Sequence, residues 1–123
     1  MQANPLRGEV AVVLGGVTYS ARPTYTAILS WEGETNRTTT EILMRFAAGV
    51  FTLRELTAVI HAALTAGGAK LTADAVGEMI VDAGQTELLP PAGTLLRNAL
   101  TGGREPAAGE AQAPEPGKPP SGA

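Results

Sequence analysis

The stretch Thr52 to Gly68, TLRELTAVIHAALTAGG, decides the fold, because its start, periodicity and stop all specify one helix. Thr52 followed three residues on by Glu55 is a capping box: the hydroxyl takes the Glu55 N–H while the carboxylate reaches back to the Thr52 N–H. Leu53, Leu56, Ile60, Ala63 and Leu64 recur at spacings of three and four, which places them on one face with Val59 at its margin. Glu55, Ala58, Ala62 and Thr65 are expected to point away. Gly67-Gly68 then supplies the stop. The segment predicts the central helix of a small core, a packing element without chemistry of its own.

Upstream, Glu9 to Leu14 reads as a strand, Gly15-Gly16 as a two-residue primed turn, and Val17 to Ala21 as the returning strand. That turn pairs Leu14 with Val17, Val12 with Tyr19 and Val10 with Ala21, all apolar and all on one face, so turn and register agree. A lone hairpin is marginal in water and has to lie on the helices or on a partner. Thr24 to Glu34 fits a helix through Tyr25, Ile28 and Leu29, and fits a strand through Tyr25, Ala27, Leu29 and Trp31. Thr38 and Glu41 form a second capping box opening a helix to Ala48, with Gly49 ending it and Phe51 placed to staple onto Leu56. Thr72 caps a further helix with a stripe of Val76, Met79, Ile80 and Ala83, ended by Gly84. Pro91 to Leu100 offers a last short helix. Residues 104–123, REPAAGEAQAPEPGKPPSGA, contain no Leu, Ile, Val or aromatic residue and are expected to be a disordered tail. The expectation is an α+β fold: an N-terminal β-hairpin packed on a bundle of four to five helices, one domain over residues 1–102, and a tail over 103–123.

Of the 123 residues 44% are hydrophobic but only 4% aromatic, so the core is built from Ala, Val, Leu and Ile. A formal charge of −3 and a pI near 5.1 leave no basic field to collect phosphates, which argues against nucleic acid. With no cysteine there are no disulfides, thiolate zinc sites or thiol catalysis. The N-terminus lacks the apolar core of a signal peptide, and no apolar run reaches the roughly 20 residues of a membrane span, so a cytoplasmic protein is expected.

Candidate chemistry is sparse. His61 is the lone histidine, at the edge of the apolar stripe, and reads as a boundary residue. Each of Glu32, Glu34, Glu41, Glu55 and Glu78 has a helix-cap or solvent-face explanation. Gly15-Gly16 is followed by Val-Thr-Tyr and fails as a phosphate loop. No catalytic residue, cofactor or metal is expected. Partner-binding candidates are Val12 and Tyr19 on the hairpin, whose edges must be covered or used, and the rings of Tyr25, Trp31 and Phe51. Trp31 and Tyr25 fit a core as well as an interface. A binding or assembly role follows more readily than an enzyme, with the apolar groove flanking the Leu53 to Leu64 helix or the hairpin edge expected to hold the partner.

Several segments in order carry a resemblance: Asn4-Pro5-Leu6-Arg7-Gly8-Glu9-Val10, Arg22 to Thr24, Arg45-Phe46 before a glycine, Ala63 to Gly68, and Leu71 to Gly77. Together, over about residues 3 to 102, they resemble the small tail protein of alphaproteobacterial gene transfer agents and siphophage-like prophages. Members of that family have been described both as tail tube proteins and as tail assembly chaperones, and the resemblance implies a role in building the tail. It also implies helix for Thr24 to Glu34; at Trp31-Glu32-Gly33, where the chain departs from the family pattern, an early end is expected. A tube subunit resembles a many-stranded β-sandwich closing into rings, whereas one hairpin and several helices suit a chaperone that holds tape-measure helices or tube subunits until assembly. The alternative is a structural, tube-associated component that stays in the particle. The resemblance carries over no mapped site.

Overall fold

The computed structural model describes residues 8–103, so the expected tail lies outside the described residues. The hairpin is present as β1 (Val10–Leu14) and β2 (Val17–Ala21), antiparallel, with Val10 opposite Ala21, Val12 opposite Tyr19 and Leu14 opposite Val17. This is the register set by the Gly-Gly turn, where Gly15 (φ 58°) and Gly16 (φ 76°) both take the positive φ that a primed turn requires. Val12, Leu14 and Ala21 are buried against the helices.

Five helices follow: α1 (Tyr25–Thr35), α2 (Thr39–Ala47), α3 (Leu53–Ala66), α4 (Ala73–Ala83) and α5 (Leu89–Thr101), with a 3₁₀ turn, Gln85–Leu88, leading into α5. Thr24, Thr38, Thr52 and Thr72 are the N-caps of the first four, each hydroxyl accepting a backbone N–H three residues on. α1 does not stop at Glu32 or Gly33 but runs on to Asn36, which closes it in the left-handed conformation (φ 55°). Tertiary bonds hold that last turn: the Trp31 indole N–H donates to Thr39 Oγ1 (3.0 Å), and the Thr39 hydroxyl and N–H both donate to Glu32 Oε2 (2.7 and 3.0 Å). α5 begins earlier than Pro91 because both prolines occupy its first turn, where their missing N–H groups have no intrahelical partner to lose.

α3 is the centre. Leu56, Val59, Ile60, Ala63 and Leu64 are almost completely buried, with Trp31, Ile42, Val76, Ile80, Leu95 and Leu96 around them. Its burial is wider than one stripe, because Ala62 and Glu55 are buried as well. Glu55, expected to face solvent, instead ties three segments together. Oε1 accepts from the Thr52 N–H and from Arg45 Nη2 of α2 (both 3.0 Å), and Oε2 accepts from Arg37 Nε of the α1–α2 connection (2.8 Å). At the other end the Arg22 N–H donates to the Ala63 carbonyl oxygen (2.9 Å), and the Gly67 backbone presses on the Ser20 carbonyl of β2.

Two expectations follow from these contacts. Burial works to raise the Glu55 pKa, but the hydrogen bonds from Arg45, Thr52 and Arg37 outweigh it and hold the carboxyl below its usual range. A depressed carboxyl stabilises the fold fully above the unfolded pKa of about 4.3 and ceases to do so as pH falls through the lower folded value. Glu55→Gln is therefore expected to lower urea stability by about 1–2 kcal/mol at pH 7, and the gap to the parent chain should close as pH is taken downward from about 5.

A Cβ on Gly67 would overlap the Ser20 carbonyl, whereas one on Gly33, inside α1, meets nothing within 4 Å. Gly67→Ala is expected to cost about 2 kcal/mol or more by separating β2 from α3, and Gly33→Ala to add about 0.5–1 kcal/mol of helix stability. Opposite displacements of the urea midpoint are the readout.

Candidate protein-binding site

The two pins of α3 fix its rotation, and so decide which of its side chains remain outside the core. Leu53, Arg54, Thr57, Ala58 and His61 recur at helical spacing along that outer face. α1 and α4 both pack on α3, and between them this face forms the floor of an open groove of about 850 Å³. Ser30 and Glu34 of α1 make one wall. The other is α4, through Ala73, Asp74, Gly77, Glu78, Val81 and Asp82. Small side chains dominate the bottom; at Gly77 a Cβ would lie in ordinary contact with Thr57, so α3 and α4 are close there. Val81 is half exposed beside it.

The rim is acidic. Glu34, Asp74, Glu78 and Asp82 are all exposed and share the lining with a single guanidinium, Arg54, whose Nη2 lies 3.9 Å from Glu34 Oε1. His61 is half-buried, and its Nε2–H donates to the Leu71 carbonyl oxygen (2.9 Å). That bond ties α3 to the connection that leads into α4, and so fixes the spacing of two sides of the groove. Among the described residues no three His, Asp or Glu side chains are arranged to hold a metal ion.

The candidate residues read from sequence are dispersed. Val12 and Trp31 are completely buried and present no surface to a partner. Tyr19 and Phe51 are half-buried against the core, Phe51 edge-on to Phe46 with centroids 6.0 Å apart. Tyr25 is 78% exposed and, with the half-exposed Leu29 one turn on, forms an apolar spot on the outer side of α1, away from the groove. The end of β2 is sealed by α3 through the Arg22–Ala63 hydrogen bond and the Gly67 contact. A groove flanking the Leu53 to Leu64 helix was expected as one of two binding surfaces; its acidic rim was not. Its one sequence signal was charge placement: Glu34 and Asp82 stand in the last turns of α1 and α4, where the helix dipole disfavours an anion and no basic residue is present.

Hairpin, helices and groove define a small α+β domain with a helix-walled, acid-rimmed concavity. Residues 7–102 match the family described as phage tail tube protein, GTA-gp10, and the chain belongs to that family. It is a tail protein of the phage and gene transfer agent type, from a structural rather than an enzymatic family. No curated protein and no solved structure matches it significantly. No helix among the described residues is long and apolar enough to cross a membrane.

Because His61 acts through the Leu71 carbonyl, His61→Ala is expected to lower stability by about 1 kcal/mol. His61→Gln, whose amide N–H reaches a similar point, should restore most of it. Urea unfolding of both variants gives the comparison; a purely solvent-facing histidine would move neither midpoint.

Proposed function

We propose that this chain is a tail assembly chaperone, binding a tail component, tape-measure or tube protein, in the host cytoplasm and releasing it as the tail is built. The observation that carries this reading is the groove across α3, combined with a sheet of only two strands. A tube wall built by ring closure needs a heterologous interface repeated around an axis, and a many-stranded sheet supplies one. Here the end of β2 is occupied by the chain's own α3, and a groove of about 850 Å³ lies among helices. Holding a partner's apolar surface until assembly asks for such a concavity and for no chemistry. The family description favours the second reading, in which the chain remains in the particle beside the tube.

Particles purified to homogeneity and quantified by mass spectrometry against the major tube subunit separate the two. The chaperone reading expects this chain in lysates that are making particles and none in the particles. A copy number near that of the tube subunit would overturn it in favour of a structural component, and a low fixed number would point to a connector.

A further inference from the structure

We infer that the groove over α3 is the docking site for a basic amphipathic helix of another protein: about two turns with a narrow apolar stripe of small or aliphatic residues, flanked by Lys or Arg. This deepens the binding role proposed above and rests on it. A helix is about 10 Å across and rises 1.5 Å per residue, so about 850 Å³ accommodates roughly seven residues. The lining is apolar or small where a stripe would lie, at Leu53 and Ala58 of the floor and Gly77 and Val81 of the α4 wall, and the recognition is of the helix-in-groove kind.

Charge selects the occupant. Four carboxylates and one guanidinium line the groove, and that guanidinium is already beside Glu34. Both Glu34 and Asp82 stand at a helix C-terminus, on the wrong end of the dipole, and within the fold Glu34 has only the exposed Arg54 beside it at 3.9 Å. A partner with flanking cations removes that disadvantage. A second copy of this chain is disfavoured, since it carries a net charge of −3. Residues 104–123 are disfavoured too, for they contain no Leu, Ile, Val or aromatic residue to form the stripe.

The test uses the full-length ¹⁵N-labelled chain and two synthetic 14-residue helical peptides with the same Leu/Ala stripe, one flanked by Lys and one by Glu. The Lys peptide is expected to bind at low salt and to weaken several-fold between 50 and 300 mM salt, with amide shifts gathered at Thr57, His61, Gly77 and Asp82. The Glu peptide should bind at least tenfold more weakly. Glu78→Lys with Asp82→Lys should lower Lys-peptide affinity at least tenfold while leaving the unfolding midpoint unchanged or raised, since a cation in the last turn of α4 suits its dipole. Equal binding of both peptides, shifts centred on Tyr25 and Leu29 or on the hairpin, no binding at millimolar peptide, or a concentration-dependent dimer broken by the double variant would each overturn the proposal. Absence of the chain from particles alongside a silent groove would refute this site and leave the chaperone reading standing.

Discussion

Everything in this domain depends on how α3 is held at its two ends. At the N-terminal end the Glu55 carboxylate gathers Thr52, Arg45 and Arg37, drawing α2 and the α1–α2 connection onto the start of the helix. At the C-terminal end Ala63 and Gly67 bring the helix against β2 so closely that no side chain fits between. One pin is electrostatic and local in reach; the other is steric. A helix free to roll about its axis would expose a different set of residues, and with both ends fixed it cannot. The face Leu53, Thr57, Ala58 and His61 is left as the floor between α1 and α4 because every other direction is already taken.

Local signals in the chain were legible and tertiary ones were not. The hairpin register could be read because a two-glycine turn and an alternating apolar pattern each specify it, and they agree. The caps at Thr38, Thr52 and Thr72 could be read because a cap hydroxyl and the N–H it accepts lie three residues apart. Glu55 was misread for the same reason: its capping role is local and sufficient, so nothing in the stretch itself announces Arg37, 18 residues away, or Arg45, 10 away. The continuation of α1 past Gly33 likewise rests on Thr39, from the next helix. Trp31 fits core and interface equally well in one dimension. Only the packed helices, with a hydroxyl placed to receive the indole N–H, decide for the core.

The acidic rim of the groove was the least legible feature, since the groove is the space left when three helices from separate parts of the chain meet. Its walls contain no unusual residue. What stands out is arrangement: the carboxylates at 34, 74, 78 and 82 fall on one rim although 40 residues separate the first from the second. Asp74 has a local reason to be there, in the first turn of α4. Asp82, at the opposite end of the same helix, has none. One helix thus carries an anion that its dipole favours and another that it opposes, both on the groove side.

That opposition bears on how binding and stability are related in this fold. A residue kept for folding is one whose replacement by the electrostatically preferred alternative costs stability; Asp82 is expected to show the reverse, since a lysine there complements the helix terminus. Small domains have a total stability on the order of 5–15 kcal/mol, and an unfavourable charge of a few tenths of a kcal/mol is a small part of it, which a bound cation would offset. The same reasoning separates the groove from the apolar spot at Tyr25 and Leu29. A large exposed ring and an aliphatic neighbour attract any apolar surface, but they carry no sign of charge and no concave shape, and so choose no partner. The groove couples an apolar floor to a rim of one sign, and this combination discriminates among helices that would otherwise be equally apolar.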